Sequence, residues 1–125
     1  MQKHVLIPGP DHPITIAPTN ERVVVRVGEQ VIAETDAALT LQEASYAPVQ
    51  YVPIADVDAT LIEPRETETY CPYKGDANYY AINLPSSSIE DAIWEYASPY
   101  DAVKEIAGHV AFYDGKDGIT VERGQ

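Results

Sequence analysis

The stretch RVVVRVGEQVIAET, Arg22 to Thr35, decides the fold class. Two β-branched runs flank Gly28-Glu29. Branched side chains fit a pleated, half-buried surface, and the glycine between them supplies turn chemistry. Arg22, Val24 and Arg26 alternate with Val23, Val25 and Val27, so a period of two gives one buried and one wet face. The stretch predicts a hairpin.

The same signals continue outward. Upstream, residues 1–11 read as an extended lead-in, and HPITI (12–16) as a short strand. Downstream, AALTLQE (37–43) alternates with Leu39 and Leu41 on one side, and PVQYVPI (48–54) reads as a strand closed by Pro53. TYCPYKGDANYYAINL (69–84) reads as strand, turn, strand. Pro72 cannot sit in a central strand, and Lys74-Gly75-Asp76 supplies the turn. HVAFYDGKDGITVER (109–123) predicts a hairpin around DGKDG.

Helical signals are few. ADVDATLIE (55–63) predicts one or two turns capped by Asp56. PYDAVKEIAGH (99–109) predicts a short helix opened by Pro99 and stopped by Gly108. SSSIEDAIWEYASP (86–99) carries helical spacing at Ile89, Ala92, Ile93 and Tyr96, yet AIWEY also suits a strand. Its shortness and its end at Ser98-Pro99 favour a turn followed by a strand. The sum is eight to ten short strands in one domain, residues 1–125. That is a mainly β fold, a compact antiparallel barrel or two packed sheets, with one or two short helices.

Charge and composition exclude several functions. Eight basic and twenty acidic residues give a net charge of -12. Such a surface repels phosphate backbones and anionic lipid, so neither nucleic acid nor membrane is an expected partner. The single cysteine rules out an internal disulfide and any zinc site needing two cysteines of this chain. MQKHVLIPGPDHP is too short in apolar residues for a signal-peptide core, and no run approaches the roughly 20 apolar residues of a membrane helix. The expectation is a soluble cytoplasmic protein, monomer or homodimer. Neither GxGxxG nor GxxxxGK[ST] occurs, nor GxSxG or HExxH, and no cofactor is expected.

The candidate site centres on residues 67–80. Cys71 has two readings: a thiolate stabilised by Arg65 and Lys74, or a small buried hydrophobe, the more common case. Lys74 sits on a turn between aromatic strands in an otherwise acidic chain. An ammonium there meets an anionic or carbonyl group if the tyrosines wall a pocket. Glu43 ends an apolar strand and is either solvated or paired with Arg65 or Lys74. His4, His12 and His109 are far apart in sequence, and no metal site is expected of them.

The ordered set HPITI, RVVVRVGEQVIAETDAALTLQE, PVQYVP, TYCPYKGDANYYAI and AIWEYASP…IAGHVAFYDGKDGITVE resembles the family known as domain of unknown function 427, from about His12 to Glu122. The resemblance implies a small bacterial or fungal protein with a mostly β, tent-like or small-barrel fold. Some family labels carry a nucleotidyltransferase tag, but this chain has neither a phosphate loop nor a Gly-Ser pair with paired carboxylates. The zinc held by two CxxC pairs in related β-tent domains does not carry over to one cysteine. The family's typical positions fall here on Glu43, Tyr51, Arg65, Cys71, Lys74, Gly75 and Trp94. Gln50 departs from the family's Tyr-Tyr-x-Pro.

Together these readings predict a pocket for a small polar or anionic organic ligand, built from Glu43, Tyr51, Arg65, Lys74 and Trp94. Lys74, Glu43 and Cys71 are the candidates for any catalysis. The alternatives are an enzyme acting on a small metabolite or nucleotide, and a pocketless module whose acidic face docks a basic partner.

Overall fold

A computed structural model describes residues 4–124. They form ten strands: β1 (Ile14–Pro18), β2 (Val23–Val27), β3 (Gln30–Thr35), β4 (Leu39–Glu43), β5 (Val49–Pro53), β6 (Ile62–Cys71), β7 (Gly75–Leu84), β8 (Ser87–Glu95), β9 (His109–Phe112) and β10 (Ile119–Arg123). A seven-stranded sheet has the order β1-β4-β5-β9-β8-β7-β6, and a three-stranded sheet the order β10-β2-β3. All pairings are antiparallel. The large sheet does not close, because β1 and β6 remain its two edges. Two open sheets, not a barrel, are therefore the architecture.

The central strands of the large sheet are buried on both faces. Successive side chains of a strand point to opposite sides. Val52, Ile82, Ile93, Val110 and Phe112 face the small sheet and meet its Val23, Val25, Ile32 and Ile119. On the opposite face Leu41, Tyr51, Ala77, Tyr79, Tyr96 and Ala111 pack with Val103 and Ile106. Each fully buried aliphatic side chain is worth about 1.5–3 kcal/mol. Register aligns the second face: Tyr79 opposes Trp94, and Trp94 opposes Ala111.

The hairpin expected at residues 22–35 is present as β2–β3, with Gly28 at φ 60°. Its wet face is less wet than alternation implies, since Val24 is only 3 % exposed. Val24 lies opposite Glu34 and Glu122, and ion pairs from Arg22 to Glu34 and from Arg26 to Glu122 run beside it. The long side-chain stems cover the valine. Residues 87–95 form β8, the strand reading of that ambiguous segment.

Three local expectations are corrected. The DGKDG turn does not close a hairpin: β9 stays in the large sheet while β10 pairs with β2 in the small one. Gly115, Asp117 and Gly118 all take positive φ and swing the chain from one sheet to the other. The helical turns at Ile54–Asp56 and Ala59–Leu61 are 3-10 turns, and Asp58, not Asp56, is the cap, accepting from the Thr60 amide. Asp56 instead accepts from the Thr35 hydroxyl at 2.7 Å. Residues Asp101–Ile106 form 3-10 turns with a kink at Val103 (φ -129°, ψ 27°), so no α-helix follows Pro99. Among the described residues no helix is long and apolar enough to cross a membrane.

Candidate functional site

The β6–β7 turn presents the site's cation. Cys71 pairs with Gly75, leaving Pro72, Tyr73 and Lys74 as the turn. Gly75 and Asp76, expected in the turn itself, already belong to β7. The Lys74 amide donates to the Cys71 carbonyl (3.2 Å), and the Lys74 carbonyl accepts from the Tyr100 amide (3.1 Å). Gly75 follows at φ +113°, a conformation that L side chains rarely adopt. The backbone fixed in this way turns the Lys74 side chain inward, and the residue is 8 % exposed.

The inward ammonium is paired. Lys74 Nζ donates to Glu43 Oε1 at 2.5 Å, and Nζ also lies 3.7 Å from Cys71 Sγ and 5.9 Å from the centre of the Tyr96 ring. The second Glu43 oxygen, Oε2, accepts from His12 Nε2 at 2.7 Å. The His12 ring stacks on Tyr73 with centroids 4.2 Å apart. Burial on its own drives the Glu43 carboxyl upward. The hydrogen bonds and charges of Lys74 and His12 outweigh it and hold the group below its usual range, so it is a carboxylate.

This pair stands at the wall of a cavity of about 200 Å³. Leu41, Tyr46, Ala47, Val49, Tyr51, Tyr79, Trp94, Tyr96 and Tyr113 line the rest. Trp94 Nε1 donates to the Tyr51 hydroxyl at 3.1 Å, with the two rings edge to face (6.4 Å, 88°). Trp94 also leans on Tyr113 at 4.5 Å. The Tyr79 hydroxyl bonds Thr69 Oγ1 at 2.9 Å. Burial pushes the Tyr51 and Tyr96 phenols far above their ordinary value, so both keep their protons. Tyr113 is pushed up to about 12, first by burial and then by a hydrogen bond with Tyr79.

Of the residues singled out in the sequence, Glu43, Tyr51, Lys74 and Trp94 line this one cavity. Cys71 does not line it and sits half-buried beside the ammonium. Arg65 departs from expectation. It is bound to Glu90 through Nε and Nη2 (2.6 and 3.0 Å) and to Glu63 through Nη1 (2.8 Å), and it lines no part of the cavity. Six steps along β6 separate it from Cys71, about 20 Å at ~3.3 Å per residue. Glu43 accordingly pairs with Lys74 rather than Arg65.

His12 was not expected here. It reaches Glu43 because β1 pairs with β4, with Ile14 opposite Glu43 and His12 two residues before it. The signal available in sequence was only its place at the head of the HPITI strand. Among the described residues no group of three His, Cys, Asp or Glu side chains is placed to hold a metal ion.

The sequence profile described as domain of unknown function (DUF427) matches residues 15–123. That span holds Glu43, Tyr51, Lys74 and Trp94 and begins beyond His12. Comparison with curated proteins returns no match.

Proposed function

The chain belongs to the domain of unknown function 427 family, and we propose that it is a receptor for a small polar or anionic organic molecule held in the aromatic cavity against Lys74. One observation carries the reading: an ammonium whose side chain is 10 % exposed faces an aromatic cavity and is fixed there by Glu43. Apolar walls with a few convergent polar groups are the usual make-up of a ligand site. Drug-sized pockets run from about 300 Å³ upward, so this ligand is smaller.

Chemistry on a nucleotide has less support. A triphosphate calls for several cations, whereas a single lysine lines the cavity and its charge is shared with Glu43. Arg65 is committed to Glu63 and Glu90 elsewhere. A pocketless docking module is disfavoured by the cavity itself.

A thermal-shift screen of a metabolite library, run on wild type and on Lys74→Met, tests the proposal. A ligand at 100 times its Kd stabilises the folded state by about 2.7 kcal/mol, a shift of several degrees. The expected result is a compound that shifts wild type and leaves the variant unmoved. A library that shifts neither protein, or shifts both equally, overturns it.

A further inference from the structure

The cavity's open hydrogen-bonding capacity leans toward donors. Lys74 directs one N–H to Glu43 and one to Cys71 Sγ and keeps a third. The Tyr51 oxygen accepts from Trp94, and no described residue accepts the Tyr51 proton. Tyr96 is 8 % exposed, and its hydroxyl, which makes no hydrogen bond to a described residue, keeps contact with solvent. Burial keeps both phenols protonated, hence donors. On the accepting side, each oxygen of the one carboxylate lining the cavity already receives a charged or ring N–H, from Lys74 and from His12, which leaves the phenol oxygens as the main open acceptors. Three donors with an unused hydrogen therefore converge on a half-open cavity. An occupant that meets such a donor replaces water, and each hydrogen bond gained is worth about 0.5–1.5 kcal/mol net, so an occupant is favoured by the acceptors it brings.

The walls set the occupant's shape. Trp94, Tyr96 and Tyr113 present ring surfaces, and a ring ligand gains from stacked or edge-to-face contact with them. The volume of about 200 Å³ limits it to roughly one ring with a short substituent.

We infer that the cavity selects a single planar ring bearing an acceptor oxygen, a carboxylate or a conjugated carbonyl, received by Lys74, Tyr51 and Tyr96. The inference rests on the receptor reading and sharpens its ligand class. Ammonium ligands are disfavoured, since they bring donors and no acceptor to meet Lys74.

The test is calorimetric titration of the full chain with four probes: benzoate, benzamide, benzylammonium and cyclohexanecarboxylate. Tyr96→Phe is the diagnostic variant, because it removes only an oxygen that makes no internal bond. Its thermal stability should match or exceed that of wild type. Benzoate or benzamide should bind, benzylammonium at least tenfold more weakly, and cyclohexanecarboxylate more weakly than benzoate. Tyr96→Phe should weaken the better acceptor about tenfold, the scale of one hydrogen bond to a charged group. Benzoate ahead of benzamide assigns the carboxylate, and the reverse order the neutral carbonyl. Benzylammonium binding as well as benzoate, equal binding of the saturated ring, unchanged affinity in Tyr96→Phe, or no binding of either acceptor each overturns the inference. If the metabolite screen instead yields a Lys74-dependent ligand of another class, the receptor reading stands while this one falls.

Discussion

Removing either end of the Lys74–Glu43 pair should be costly, and removing both should cost far less than the sum. Taking one partner from a buried ion pair typically costs about 3–5 kcal/mol, because the other charge is stranded. Here the side chains are 10 % and 15 % exposed, and Glu43 keeps His12 when Lys74 is gone. Lys74→Met should therefore fall at the low end, about 3 kcal/mol. Glu43→Gln keeps an acceptor oxygen for the ammonium and should cost about 1–2 kcal/mol. The double variant strands no charge, so its cost should be about 1–2 kcal/mol, well below the sum, with a coupling of about 3 kcal/mol. Urea unfolding followed by Trp94, the only tryptophan and a cavity residue, gives all four corners of the cycle. The pH dependence adds a signed check. The Glu43 carboxyl lies lower in the folded chain than its ordinary 4.5, so its contribution is complete above that value and drains away as pH falls below it. The gap between wild type and Glu43→Gln should narrow below about pH 4.5. A cost under about 1 kcal/mol for Lys74→Met, additive single effects, or a gap indifferent to acid would refute the reasoning.

Two further outcomes follow from the same geometry. A Cβ on Gly75 would meet the Ser98 carbonyl oxygen at 3.5 Å, an ordinary contact, so Gly75→Ala should suffer through its φ of +113°. The loss should be about 2 kcal/mol, with weakened ligand binding as Lys74 shifts, and a neutral melting temperature would contradict it. Arg65→Ala should leave ligand binding unchanged and lower the melting temperature only slightly, since its partners Glu63 and Glu90 are exposed. Loss of binding in that variant would mean that the site extends along β6.

Period-two patterning made most strands legible, because each strand's burial is written in its own residues. The β9–β10 connection was not, since DGKDG has the same turn chemistry whether its flanking strands pair or part. What decides it is the free edge of β2, about 90 residues upstream, where Ile119 to Arg123 bury their alternate side chains. The site divides in the same way. Lys74 was legible because Pro72 and Gly75 mark its turn locally. His12 was hidden because it meets Glu43, 31 residues away, only through the β1–β4 register. Arg65 was misplaced because nearness in sequence is distance along an extended strand, and because Glu63 and Glu90 claim it first.

The uneven cover of the large sheet explains why a cavity forms where it does. One face of the sheet is roofed by β10-β2-β3, while the other meets only the short turns of Asp101–Ile106, which supply Val103 and Ile106. The rings of Tyr51, Tyr79, Trp94 and Tyr96 extend past that cover, and the space among them is the cavity. Packing alone gives no reason to close it with an ion pair. A buried pair commonly contributes no more stability than apolar side chains of the same volume. A stability role for Lys74 and Glu43 would make the double variant an inferior fold. A binding role makes it a fold no weaker than Glu43→Gln alone that has lost its ligand, which is the outcome the receptor proposal predicts.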